Sequence, residues 1–258
     1  MESPRRAGPA GPKWIVQRWE DPLFLHWQVD EARLRPALQL PPGVELELWG
    51  GHPWLTVALL RTGAGPLPAF GQVNVRTYVR IGRRPGLWFL YIGASAWPLA
   101  PVMSSVFGIR TRPAWIHHRR TGLALESTVR APLGRRLLHA TFRVSGPVHS
   151  ASERGLAAWL LERYSAFGRQ PGGRLVRTDV EHCAWTVARA DGQLDYQALL
   201  KELDVPVPAR PDLAHFAERQ DTRLSLPRRV NAFAARARVW PSAASPEPDR
   251  APPPVPPA

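Results

Sequence analysis

The stretch Phe70-Gly71-Gln72-Val73-Asn74-Val75-Arg76-Thr77-Tyr78-Val79-Arg80 alternates residue by residue between two chemistries. Successive side chains of a β-strand point to opposite faces, so Val73, Val75, Thr77 and Val79 form one face and Gln72, Asn74, Arg76, Tyr78 and Arg80 the other. The first face packs against a core. The second carries amides, guanidinium groups and a phenol, a row more specific than solvation needs. It lines a pocket, or it is an exposed strand face in an arginine-rich protein.

The chain has 258 residues, enough for one large domain or two small ones and for a substantial core without staples. Eleven tryptophans and eight phenylalanines supply that core. The single cysteine, Cys183, excludes an internal disulfide and a multi-cysteine metal site, which suits a reducing compartment. Residues Met1 to Pro9 lack the apolar run of a secretory signal, and the expected location is cytoplasmic. Pro85 to Ile109 is free of charge and long enough to span a bilayer, but Gly86, Gly93, Pro98, Pro101 and Gly108 break it. A buried strand followed by a helix is expected there, and no membrane span.

The formal net charge is +13, carried almost wholly by arginine. No Asp or Glu occurs between Glu47 and Glu126, an interval that holds nine arginines, so the middle of the chain favours anions. Arginine pairs bidentately with carboxylate or phosphate, which leaves an organic acid, a phosphate or a nucleic-acid backbone as partner classes.

Along the chain, residues 1–12 are rich in Pro, Gly and Arg and read as a disordered basic N-terminus. Pro22 to Val29 reads as a strand, and Asp30 as the N-cap of a short helix ending near Pro41. Strands over 44–49 and 52–62 precede the central one, and Leu87 to Ile92 pairs with it as a hairpin. Trp97 to Gly108 is a helix candidate with Ser95 as its N-cap. Strands follow over 123–130 and 137–144. Leu156, Trp159, Leu160, Tyr164 and Phe167 recur at helical spacing, predicting a helix over 150–167 that Gly168 ends. Leu175 to Ala188 forms one or two strands bent near His182, Tyr196 to Leu203 a short helix, and Asp221 to Trp240 an extended segment. Residues 241–258 are a disordered Pro-rich tail, leaving 13–240 as a single domain. Many strands with two or three helices imply a mainly β (α+β), antiparallel architecture, either a barrel or two packed sheets.

An ordered set of motifs runs through this domain: Phe24-Leu25-His26-Trp27 with Asp30, Leu34-Arg35-Pro36, Leu40-Pro41-Pro42-Gly43, Asn74-Val75-Arg76-Thr77-Tyr78-Val79, Pro85-Gly86-Leu87-Trp88-Phe89, Leu161-Glu162-Arg163-Tyr164, and His182 with Trp185. The set resembles the YqjF-like bacterial proteins, domain-of-unknown-function family 2071, over roughly 13–240. The resemblance implies the acetoacetate decarboxylase-like fold, a curved antiparallel β-barrel with two or three packed helices and a central cavity. It implies no activity. In the decarboxylase itself a lysine of lowered pKa forms a Schiff base. Here Lys13 lies near the chain start and Lys201 on an expected surface helix, so imine chemistry is not expected. The chain also departs from its relatives: Gln72 stands where they carry an acid, and Ser104-Ser105 where they carry arginine.

Asn74, Arg76, Tyr78, Glu162 and His182 are the ligand-binding candidates. An amide, a guanidinium and a phenol on one strand face suit a carboxylate or enolate. Alternatively, Arg76 pairs with Glu162 or another buried acid and fixes the barrel. Glu162 and Arg163 fall beside or opposite the apolar stripe of their helix, so at least one is expected in solvent. His182, near Trp185, suits proton transfer or a structural hydrogen bond. No metal-ligand spacing, phosphate loop or nucleotide fingerprint is present, and neither metal nor cofactor is expected. The leading expectation is a protein that binds a small organic anion or hydrophobic acid in its barrel, with lyase-type chemistry lacking a Schiff base. The alternative is a nucleic-acid-binding or scaffold protein using Arg80, Arg83, Arg84, Arg119, Arg120, Arg135 and Arg136 as its footprint.

Overall fold

The computed structural model describes residues 14–65, 67–152, 155–205, 207–208 and 210–230. Both expected disordered ends, and residues 231–240 of the segment expected to be extended, lie outside the described residues. The chain opens with β1 (Trp14–Gln28), α1 (Glu31–Leu38), β2 (Glu45–Leu46), β3 (Trp54–Ala64), β4 (Leu67–Ile81), β5 (Arg84–Ala94) and α2 (Leu99–Ser105). It continues through β6 (Thr111–Pro113), β7 (Trp115–Thr121), β8 (Ala124–Arg130) and β9 (Arg136–Ser150). Then come α3 (Leu156–Leu161), β10 (Ser165–Arg169), β11 (Leu175–His182), β12 (Thr186–Asp195), α4 (Gln197–Glu202), β13 (Leu213–Phe216), β14 (Arg219–Ser225) and β15 (Arg228–Arg229). The protein is mostly strand.

Strands β14, β11, β10, β5, β4, β3 and β1 are hydrogen-bonded in that order, and β14 pairs again with β1 to close a ring. The ring is irregular, with β1 forking at its middle. Trp14 to Glu20 pairs with β14, whereas Leu23 to His26 pairs with β13, from which β12, β9, β8 and β7 continue as a side branch. The fork falls where Asp21 adopts φ 50° and Pro22 has no N–H to give to a ladder. Most pairings are antiparallel; β5 with β10 and β5 with β6 are parallel.

The alternation along β4 is realised on both faces. Val73, Val75 and Val79 are fully buried with Val57 and Leu59 of β3 and with Leu125, Leu138 and Phe142 of the side branch. Thr77, on the same face, is satisfied by donating to the Trp54 carbonyl at 2.7 Å. The polar face turns into the ring, where Asn74 and Arg76 are 5% and 7% exposed and Tyr78 is 0% exposed. An exposed strand face is thereby ruled out for these three. Arg80, at the strand end, is exposed and pairs with Glu45 at 2.8 Å.

Helix α1 begins as its sequence implies, the Asp30 carboxylate accepting from the Ala32 N–H at 2.9 Å. The helix expected over 150–167 is instead the single short α3. Ser150 ends β9, and residues 165–169 form β10, antiparallel to β11 and parallel to β5. The periodicity of Leu156, Trp159 and Leu160 is helical, but beyond Leu161 the free edges of β5 and β11 offer backbone partners that a helix could not use. Gly168 is not a helix stop. A Cβ there would lie 2.1 Å from the Phe107 carbonyl oxygen, so glycine permits β10 to pass beside the end of α2. Four short helices are described rather than two or three. Ser95 is not the cap of α2, whose N-cap is Pro98; its hydroxyl accepts from the Ile116 N–H at 3.1 Å and ties β5 to β7. The uncharged stretch 85–109 is β5 followed by α2, and among the described residues no helix is long and apolar enough to cross a membrane.

Candidate functional site

The closed ring encloses a cavity of about 110 Å³. A cavity needs only about 10–15 Å³ to hold one water, so several heavy atoms fit. Strand β4 contributes Gln72, Asn74 and Arg76; Phe24, Phe89 and Ile92 flank them from β1 and β5. Arg163, His182 and Trp185 close the far wall. Among the described residues no Asp, Glu or Lys lines it. Lys201 is exposed on α4, and Lys13 lies outside the described residues.

Arg76 is the central group. Among the described residues no carboxylate pairs with it, and its Nε is buried with no hydrogen-bond partner. Its guanidinium carbon lies 5.4 Å from the Phe24 ring centroid, within cation–π range. Burial lowers its pKa from the ordinary value; the nearby Tyr78 phenol opposes that shift and the Arg163 charge adds to it. The expected pairing with Glu162 does not occur. Asn74, two residues away on the same face, has a buried Oδ1 that also lacks a partner. Buried polar groups in folded proteins are nearly always satisfied, so three exceptions on one cavity's lining, Arg76 Nε, Asn74 Oδ1 and Arg163 Nη2, mark a place built for something else.

Tyr78 does not line the cavity. Its hydroxyl lies 2.6 Å from Thr56 Oγ1, which lies 2.8 Å from His26 Nδ1, giving a buried chain behind Arg76. Burial raises the phenol pKa, and the neighbouring Arg76 pulls it back. Tyr78 therefore buttresses the pocket floor.

Glu162 stands outside the pocket lining. Its Oε2 accepts from the Tyr164 hydroxyl at 2.5 Å and its Oε1 from the Trp185 N–H at 2.8 Å, so both oxygens hold the bend between β11 and β12. His182 lines the cavity and stacks on Tyr164 with ring centroids 4.6 Å apart. Its Nδ1 lies 2.7 Å from the Cys183 carbonyl and its Nε2 3.4 Å from the Arg163 carbonyl. Burial lowers its pKa, favouring a neutral ring whose Nδ1–H donates to Cys183 and whose Nε2 carries the lone pair.

Arg163 is the group that sequence reasoning missed. It is buried, not solvated: Nε donates to the Trp159 carbonyl at 2.6 Å and Nη1 to Glu47 Oε2 at 2.7 Å. Its guanidinium carbon stacks over Trp159 at 4.5 Å and Tyr78 at 5.1 Å. Because α3 ends at Leu161, Arg163 returns to cap a carbonyl of its last turn, and the guanidinium enters the ring. Only the helix boundary, invisible in the periodicity, would have placed it there. Among the described residues no cluster of three or more His, Cys, Asp or Glu side chains is placed to hold a metal ion. His118 is buried between Ser127 Oγ and the Asp21 carbonyl, at 2.7 and 2.8 Å.

A closed, mostly antiparallel ring around a buried cationic pocket defines an acetoacetate decarboxylase-like fold. The enduracididine biosynthesis enzyme MppR complexed with pyruvate shares it with a TM-score of 0.64 and 17% identity, covering 88% of this chain and 93% of that one. Acetoacetate decarboxylase from Legionella pneumophila subsp. pneumophila str. Philadelphia 1 does so with a TM-score of 0.62 and 17% identity, covering 90% and 92%. The uncharacterized protein YqjF of Bacillus subtilis (strain 168) is 26% identical over 219 residues, 81% of this chain and 89% of that protein. The model of domain-of-unknown-function family 2071, described as an uncharacterized conserved protein, matches residues 16–221, and the chain belongs to that family.

Proposed function

We propose that this protein binds a small organic anion in the ring, its carboxylate seated against Arg76. The observation that carries the reading is the buried Arg76 guanidinium with no carboxylate partner among the described residues, in a cavity with no acidic lining. A buried charge is retained only when something compensates it, and a bound carboxylate supplies both the charge and the missing acceptor. Asn74 stands beside it to orient the ligand's polar substituent. That a protein of the same fold, MppR, is complexed with pyruvate favours a carboxylate as the anion, whatever its length. Lyase-type chemistry here would proceed without a Schiff base, since among the described residues no lysine lines the cavity, and His182 would be the proton carrier.

The basic-surface alternative has less support. Of the seven arginines proposed as a footprint, Arg80, Arg120, Arg135 and Arg136 each face a carboxylate of their own, and Arg84 shares Asp179 with Arg177. Their charge is offset locally rather than pooled on one surface.

The test is a thermal-shift and calorimetric screen of small carboxylates against the wild-type protein and Arg76→Met. Ligand at about a hundred times its Kd adds about 2.7 kcal/mol, raising Tm by roughly 5–10 °C for a domain of this size. Binding that is lost in Arg76→Met is expected. Equal binding by the variant, or salt-sensitive DNA binding with no acid bound, would overturn the reading.

A further inference from the structure

We propose that the ligand is a monocarboxylate with an apolar tail, its charge at Arg76 and its tail against Ile92, Met103 and Phe107. The inference rests on the reading of Arg76 as the anion-binding group and adds the ligand's charge and shape.

The charge follows from a count inside the pocket. Two guanidinium groups line it, Arg76 and Arg163, and Glu47 already neutralises Arg163 through the 2.7 Å contact. Among the described residues no carboxylate lines the cavity itself, so one positive charge is left over. A ligand with one negative charge balances it. A second carboxylate would be buried without a counterion, which protein interiors strongly disfavour.

The shape follows from register. On β4 the polar face runs from Gln72 through Asn74 to Arg76, and β5 sets Ala94, Ile92 and Phe89 opposite them in turn. At the Arg76 end stand Arg163, His182 and Trp185, with Trp185 edge-on to Phe24 at 5.0 Å. At the other end Ile92, Phe107 and Ile109 form an apolar cluster with Met103 of α2. The cavity thus gathers both guanidinium groups at one end, while the other is mostly hydrocarbon with Gln17, Gln72 and Thr111 among its lining. From Gln72 to Arg76 the strand rises roughly 13 Å, the reach of a carboxylate with a medium alkyl or aryl tail rather than of a two- or three-carbon acid.

The experiment is calorimetric titration of the full chain with acetate, butyrate, hexanoate and adipate. Affinity is expected to rise about fourfold per added methylene, the equivalent of about 0.8 kcal/mol. Adipate, which matches hexanoate in length but carries a second charge, is expected to bind at least a hundredfold more weakly than hexanoate. Met103→Glu, at a half-buried position on a short helix, should cost hexanoate at least tenfold. Met103→Trp, which fills the same end without a charge, should likewise penalise hexanoate more than acetate. If acetate binds as tightly as hexanoate, or adipate matches it, the tail and charge assignment is overturned while the anion site stands. If no acid binds, or Arg76→Met binds as the wild type does, the anion site itself falls and the inference with it.

Discussion

Replacing Arg76 by methionine should make the unliganded protein more stable, and replacing Arg163 should make it less so. The two guanidinium groups share a pocket and each keeps one unpartnered buried nitrogen, Arg76 Nε and Arg163 Nη2, but Arg163 also has a carboxylate at 2.7 Å and a carbonyl at 2.6 Å, whereas among the described residues no carboxylate faces Arg76. A buried donor left unsatisfied costs about 1–3 kcal/mol, and apolar replacement of buried charge is often stabilising by about 1–4 kcal/mol. Against that gain stand the loss of cation–π contact with Phe24, about 0.5–2 kcal/mol, and of the Tyr78 contact. Tyr78 keeps its 2.6 Å bond to Thr56, so it is not orphaned. The balance favours Arg76→Met by about 1–2 kcal/mol, or roughly 2–8 °C in Tm. Arg163→Met strands Glu47, whose side chain is 22% exposed, and frees the Trp159 carbonyl. Partial solvation of Glu47 limits that cost to about 1–3 kcal/mol. Urea and thermal unfolding of the ligand-free variants reads both signs. A loss of stability in Arg76→Met comparable to that in Arg163→Met would show that Arg76 is a structural ion and refute the argument for an anion site.

Acid should destabilise the fold in a defined window. Burial holds His215 at about 4, below its ordinary 6.5, and pushes His26 down as well. A histidine whose folded pKa is depressed contributes stability that is complete above the unfolded pKa; it is lost as pH falls from there to the folded pKa. His215 alone should therefore remove about 3 kcal/mol between pH 6.5 and pH 4, and His215→Gln should flatten that slope in pH-dependent urea melts. An unchanged slope would mean that other groups carry the acid transition. Gly168→Ala should cost about 1–3 kcal/mol by forcing β10 from the Phe107 carbonyl, measurable as a fall in the urea midpoint; a neutral result would mean that this approach relaxes freely.

What the sequence alone determined is local. The two-residue alternation of β4 made one face core and the other a row of hydrogen-bonding groups, because strand geometry leaves no other arrangement. Asp30 specified the start of α1, and the glycines and prolines of 85–109 specified a strand and a helix in place of a membrane span. The family motifs extended that reading to the ring and its cavity. What only the tertiary structure decided is which charges meet. Glu47 and Arg163 are 116 positions apart, and nothing in either segment announces the other. Whether residues 165–169 continue a helix or become β10 depends on the free edges of β5 and β11, which exist only once the ring has formed. Compensation of a buried charge is a through-space property, decided by distances and desolvation rather than by spacing along the chain. For that reason the sequence could name Arg76 as a candidate, while the fold alone assigned Glu47 to Arg163 and, among the described residues, left Arg76 without a carboxylate.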